Sequence, residues 1–210
     1  MLRIGVTGGI AGGKSLVSAT LRDLGAHVIE ADDVVRELVL PGSPLLEALR
    51  RAFGERVLNR DGTLDRRELG AIVFADAEAL GRLNEITHPP LTAEIARRLS
   101  ELERRDPEGV VVVDAALLPD WDILTEMDLV VLVTAPEDVR VSRMVAGGLD
   151  EGEARSRIAA QRSESSYREA SDEVLENAGT RDELEEKVRR LWARVAESRA
   201  TGRDETGGRR

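Results

Sequence analysis

No cysteine occurs among the 210 residues. Disulfides, thiolate nucleophiles and cysteine-based metal centres are therefore excluded. Aromatic side chains are nearly missing: two Trp, one Tyr and two Phe. The core must be built from aliphatic residues instead. No apolar run approaches the ~20 residues that a membrane-spanning helix needs. The chain opens on a strand-like segment without the basic and apolar regions of a secretion signal, so a cytoplasmic protein with no membrane partner is expected. Positive charge is in deficit as well. The formal net charge of −10 argues against nucleic acid as a partner. Lysine is the scarcest charged residue, with only Lys14 and Lys187, and arginine supplies the rest of the positive charge.

That scarcity makes Lys14 informative. Residues 2–7 (LRIGVT) form a short, mostly apolar run that reads as a buried strand. Residues 8–15 (GGIAGGKS) follow at once and fit G-x-x-x-x-G-K-[ST], the phosphate-binding P-loop. Leu16, Val17, Thr20, Leu21 and Leu24 then fall at helical spacing, and Gly25 stops the helix. Strand, loop and helix come in the order the motif requires. The glycines let the backbone approach a ligand closely. Successive N–H groups can make an anion nest at the positive end of a helix. Lys14 is a mobile cation that suits β- and γ-phosphates, and Ser15 offers a hydroxyl to Mg²⁺. The expected nucleotide contacts are Gly8, Gly9, Ala11, Gly12, Gly13, Lys14, Ser15 and Leu16.

A second strand, residues 26–30, ends in Asp32-Asp33. In open parallel sheets ligands sit beyond the carboxyl ends of strands, so one of these aspartates is placed to act near the γ-phosphate. Helix capping is the equal alternative. Residues 34–105 read as short helices with no core strand. Pro-Gly-Ser-Pro at 41–44 separates the first two, and Thr87-His88-Pro89-Pro90 interrupts the run before a longer helix at 91–105. Four consecutive valines at 110–113 and LVVLV at 129–133 suit strands buried on both faces. A charged helix at 151–162, a short strand at 173–176 and an amphipathic helix at 181–197 complete the pattern.

The fold class is therefore α/β: a doubly wound parallel five-stranded P-loop sheet with a helical insert and a small helical lid piece. The core is expected at 1–33, 106–146 and 169–198, the insert at 34–105, the lid at 147–168 and a disordered tail at 199–210. The Asn-Lys-x-Asp motif of Ras-type GTPases is missing. An N-terminal P-loop, a helical insert after the second strand and a charged helix pair before the last strand resemble small-molecule kinases of the nucleoside-monophosphate kinase type, and that resemblance implies an acceptor-binding insert and a helical lid over ATP.

The resemblance narrows further to the dephospho-CoA kinase family. It rests on IGVTGGIAGGKS (4–15), LGAHVIEAD (24–32), VLPGSPLLEALRRAFG (39–54), DGTLDRRELGAIVF (61–74), THP (87–89), ALL (116–118), EARSRIAAQ (153–161) and DEVLENAG (172–179). The resemblance implies transfer of a phosphoryl group from ATP, with Mg²⁺, to the ribose 3′-hydroxyl of dephospho-CoA. It implies Asp32 as general base, with a second possible role holding Mg²⁺ through water. It also implies Arg143 as a catalytic cation beside Lys14, Asn177 near the adenine, and Arg66 and His88 as acceptor contacts. A structural helix cap is the alternative for His88. Asp114, closing the valine strand, is open between the metal's outer shell and a strand-end cap. A monomer or weak homo-oligomer is expected.

The sequence departs from the family pattern at Ala115–Asp120. It departs again at Ala146-Gly147-Gly148, where the pattern has an arginine, so Arg143, Arg157 or Arg162 would have to stand in. Two other functions fit the residues: a kinase for another small hydroxyl acceptor such as a nucleoside or sugar acid, and a nucleotide-binding regulator with little turnover.

Overall fold

The computed structural model describes residues 1–116, 125–161 and 163–206. In chain order the elements are β1 (Leu2–Thr7), α1 (Lys14–Asp23), β2 (His27–Glu30), α2 (Ala31–Leu38), α3 (Pro44–Phe53), a 3₁₀ turn (Glu55–Val57), α4 (Arg66–Ala75), α5 (Ala77–Arg105), β3 (Val110–Asp114), β4 (Leu129–Thr134), α6 (Glu137–Ala146), α7 (Glu151–Ala159), α8 (Glu164–Glu169), β5 (Glu173–Glu176) and α9 (Arg181–Thr206). The five strands form one sheet in the order β2-β3-β1-β4-β5. β1 pairs in parallel with both β3 and β4, and β4 with β5. After β1 the chain builds one half of the sheet, and from β4 it builds the other. The strand order therefore reverses beside β1, and the crevice past the carboxyl ends of β1 and β4 is where such sheets bind ligands.

Two compact units are present. The first holds Met1–Val28 and the described chain from Glu108 onward. Its core is aliphatic, as the shortage of aromatics requires. Ile4 and Val6 of β1, Val110 and Val112 of β3, and Val131 and Val133 of β4 face one side, where Val17, Leu21, Leu184, Val188 and Leu191 from α1 and α9 cover them. Val111 and Val113 alternate to the other side and are equally buried. This is why the valine run shows no polar alternation.

The second unit is Ile29–Pro107. Val39, Leu45, Leu49, Val57, Leu69 and Val73 form its buried cluster. Ser43 caps α3, with its hydroxyl accepting from the Leu46 N–H at 3.2 Å, and Pro44 follows at the first helical position. Asp65 caps α4 by accepting from the Arg67 and Glu68 N–H groups.

The expected break at Thr87–Pro90 does not occur. α5 runs through both prolines from Ala77 to Arg105. A proline inside a helix costs about 3 kcal/mol relative to alanine. Tertiary packing offsets that cost on both sides of the pair. Ala79, Leu83 and Ile86 pack on the buried cluster, and Leu91, directly after the pair, Ile95 and Leu99 are buried. Each of the last three contributes about 1.5–3 kcal/mol by leaving water. The Thr87 hydroxyl donates to the Leu83 carbonyl at 2.8 Å and the Thr92 hydroxyl to the His88 carbonyl at 2.9 Å, flanking the prolines. α9 differs from expectation too, continuing to Thr206 through much of the expected tail.

Pro89 is exposed, so Pro89→Ala removes helix strain without removing packing. It should raise stability by about 1–3 kcal/mol in urea unfolding; a lower stability would mean that Pro89 stabilises α5 as it stands.

Candidate active site

The loop between β1 and α1 is shaped by what lies behind it. Gly8 has φ +149°, and a Cβ there would run into the Val133 carbonyl at the end of β4. Gly13 has φ +108° and is the N-cap residue of α1; a Cβ there would run into the Asn177 side-chain amide. Glycine is thus demanded twice by steric closeness as well as by backbone conformation. Ala11 also takes a left-handed conformation, with φ +59°. For a non-glycine residue this costs on the order of 1–2 kcal/mol.

Side chains from other elements hold the loop's carbonyls. Arg143, on α6, donates from Nη1 to the Ala11 carbonyl at 3.1 Å. Its Nη2 donates to the backbone carbonyl and to Oδ1 of Asn177, at 3.0 and 3.1 Å. Asn177, just past β5, donates from Nδ2 to the Gly12 carbonyl at 2.9 Å, and its own N–H is anchored on the Thr134 carbonyl at 2.7 Å. A peptide's C=O and N–H point in opposite directions. Holding the Gly12 carbonyl from outside therefore turns the Gly13 N–H into the loop, as an anion nest requires.

Lys14 and Ser18 sit one turn apart on α1 and face the end of β3. Lys14 pairs with Oδ1 of Asp114, and the Ser18 hydroxyl donates to Oδ2 at 2.6 Å. Asp114 is buried, 6% exposed, and its two oxygens go to side chains. The strand-end cap reading of Asp114 is therefore set aside. Ser15 is exposed, and among the described residues its hydroxyl has no partner. Gly9 and Leu16 are half-buried.

Two residues that sequence reasoning did not select complete the loop's surroundings. Arg140 Nε donates to the Ile10 carbonyl at 2.8 Å. Gln161 Oε1 accepts from the Ile10 N–H at 2.8 Å and from Arg140 Nη2 at 2.9 Å. Burial pushes the Arg140 guanidinium below the usual arginine range, against weaker attraction from Glu164 and Glu137. The spacing of Arg140 and Arg143, three residues apart on one helix face, was the available signal. Among so many arginines it carried little weight.

Asp32, Arg66 and His88 belong to the second unit. The N-cap of α2 is Glu30, so neither aspartate serves as the cap. Asp33 pairs with Arg36. Asp32 is exposed, and among the described residues its carboxylate has no partner. Arg66 is exposed at the first position of α4. His88 lies in the interior of α5, half-buried, which overturns its reading as a helix cap, because the helix does not end there. Of the three arginines that could replace the missing one near Gly147, Arg143 braces the loop. Arg157 pairs with Glu153 on the surface at 2.7 Å, and Arg162 lies outside the described residues, as do positions 117–120.

A family model described as dephospho-CoA kinase matches residues 2–183. The chain belongs to the dephospho-CoA kinase family. A dephospho-CoA kinase of Leifsonia xyli is 44% identical over 194 residues, covering 92% of this chain and 98% of that protein. One from Frankia casuarinae is 43% identical over 192 residues, covering 91% and 82%. A crystal structure from Thermus thermophilus is similar with TM-score 0.75 at 36% identity, covering 93% of this chain and 97% of that one. A dephospho-CoA kinase from Campylobacter jejuni, at TM-score 0.69 and 22% identity, covers 93% and 98% and supports the fold. A shikimate kinase from Bacteroides thetaiotaomicron supports it more distantly, with TM-score 0.53 and 16% identity over 93% and 98% of the two chains. Among the described residues no helix is long and apolar enough to cross a membrane.

Asn177→Ala would leave the buried Gly12 carbonyl without its side-chain donor. Stability should fall by about 1–3 kcal/mol, and ATP binding, read by calorimetry, should weaken with it. Unchanged ATP affinity would show that the loop holds its shape without the brace.

Proposed function

We infer that this protein transfers the terminal phosphoryl group of ATP to the ribose 3′-hydroxyl of dephospho-CoA, giving coenzyme A and ADP. The observation that carries the reading is the family match over residues 2–183, which spans both units and begins on a P-loop whose carbonyls are held from outside. The loop's inward N–H groups and Lys14 suit a polyphosphate. Lys14 would exchange part of its pairing with Asp114 for the β- and γ-phosphates, while Asp114 stays anchored by Ser18.

Asp32 is the proposed base. Its exposed carboxylate can accept the proton of the attacking hydroxyl late in a loose transition state, as the new O–P bond forms and the bond to ADP breaks. Arg143 carries a cation on the loop itself, and charge held there favours the transferring phosphoryl group. Asn177 was expected beside the adenine. Its committed hydrogen bonds support instead, or in addition, a role in shaping the loop. Arg66 and His88 remain proposed contacts for the acceptor's phosphates, in the unit that carries Asp32.

Mg²⁺ fits the donors present. Ser15 is an exposed, partnerless hydroxyl at the head of α1, and Mg²⁺ is ordinarily held by one or two protein oxygens, waters and substrate phosphates. Among the described residues no three acidic or His side chains cluster to hold a metal by themselves, so the ion would come with ATP. It would be held by Ser15 together with ATP phosphate oxygens and water, and it would neutralise phosphate charge.

ADP formation with Mg-ATP and dephospho-CoA, with product mass showing one added phosphate, tests the assignment. ADP formed only with a nucleoside or sugar acid would sink the substrate and keep the fold. ATP binding without ADP from any acceptor would favour a regulator. Asp32→Ala should lower turnover by about 10²- to 10⁴-fold and leave ATP affinity unchanged in calorimetry; retained turnover would remove Asp32 from the base role.

A further inference from the structure

The lid helices α7 and α8 carry arginines that are nearly all matched to glutamates on their own surface. Arg155 pairs with Glu151, Arg157 with Glu153 and Arg168 with Glu164. Arg140 on α6 is different. It is half-buried, it donates only to the neutral oxygens of Ile10 and Gln161, and among the described residues no carboxylate lies within ion-pairing distance. A half-buried cation against an anion-binding loop, with only neutral acceptors, has an unmet preference for a negative partner.

Its neighbour Gln161 is placed to yield that partner a position. Gln161 follows directly on α7, whose Ala154 and Ile158 pack on Ile10 and Ala11 of the loop together with Val141 and Met144 of α6. The apolar contact brings the side chain in so closely that a Cβ on Gly9 would lie 2.9 Å from Gln161 Oε1 and 2.6 Å from Arg140 Nη2. One oxygen of Gln161 thereby collects two donors, the Ile10 N–H and the Arg140 guanidinium. Converging N–H and guanidinium donors are what a phosphate oxygen needs. An ionised oxygen also makes hydrogen bonds roughly twice as strong as a neutral amide does. The Ile10 N–H cannot serve both fully.

We propose that Arg140 and Gln161 form a phosphate-exchange latch on the nucleotide loop: Gln161 Oε1 holds the Ile10 N–H and the Arg140 guanidinium until a phosphate oxygen of the nucleotide takes both. The proposal rests on the reading that this loop binds ATP. Arg140 then binds phosphate directly, and its bond to the Ile10 carbonyl keeps the next N–H, that of Ala11, turned into the loop. Gln161 is a positioning residue that ties α7 to the loop before ATP arrives and is released on binding. Nucleotide binding is thereby coupled to the position of the lid.

Gln161→Glu separates this from a merely structural contact. A carboxylate keeps both accepted hydrogen bonds and adds an ion pair to Arg140. If the contact only braces the fold, the added charge weakens ATP binding through repulsion alone, and high salt restores the native affinity. If the contact is a latch, the variant is harder to open and places negative charge where phosphate must go. The expected result is an equal or higher melting temperature without nucleotide, together with ATP binding weakened at least about tenfold in calorimetry and still weakened at high salt.

Arg140→Ala should also weaken ATP binding and flatten its dependence on salt concentration, with Arg140→Lys recovering part of both. Native ATP affinity in Gln161→Glu, or a salt dependence in Arg140→Ala equal to that of the native protein, overturns the latch. Failure of the native protein itself to bind ATP would overturn the reading of the loop as well, which distinguishes the two.

Discussion

The structure depends on one loop being held open from behind. A P-loop binds anions because its N–H groups point inward, and they do so only if the carbonyls of the same peptides find donors elsewhere. Here Ile10, Ala11 and Gly12 present three successive carbonyls, and Arg140, Arg143 and Asn177 supply the donors. These donors come from α6 and from the turn after β5, elements on the far half of the sheet from β2. Their position is fixed because β4 and β5 pair in register beside β1. The largely aliphatic core beneath them thus has a direct role in the site. It sets the spacing at which a guanidinium and an amide reach the loop.

The same constraint explains why most of the arginines are silent and a few are not. Outside the loop's surroundings they form short-range pairs with glutamates on exposed helix faces, as Arg181 and Arg189 do with Glu185. Exposed pairs of this kind contribute little each. The insert has its own version, in which Arg97 and Arg98 hold the Glu94 carboxyl down to about 2. Arg140 and Arg143 differ because their donors go to backbone carbonyls and amide oxygens, which leaves them without a hydrogen-bonded carboxylate, among the described residues, where phosphate charge is expected. Composition hides this distinction, and only the list of partners for each guanidinium reveals it.

The proposed chemistry divides between the two units. Phosphate recognition is built on the sheet, where strand ends and a helix N-terminus supply fixed dipoles. Asp32, Arg66 and His88 sit in the helical unit, whose cluster of aliphatic residues is separate. α5 shows how firmly that unit is packed. Two prolines in the middle of a helix would break it in isolation, but apolar side chains on both halves are buried.

Strand identity, the P-loop and the family pattern were legible because each is local. Four consecutive valines suit only a strand buried on both faces. A glycine-rich run ending in Lys14-Ser15 carries its chemistry in its own residue types. Asp32 was legible as a strand-end carboxylate, though the structure was needed to show that Glu30 is the cap and that Asp33 pairs with Arg36. What only the tertiary structure decided is non-local. The continuity of α5 through Pro89 and Pro90 depends on burial that local propensity does not contain. The bonds of Asn177 and Gln161 to the loop join residues more than 150 positions apart in the chain. No spacing rule links such residues, because their meeting is set by the order in which parallel strands pair.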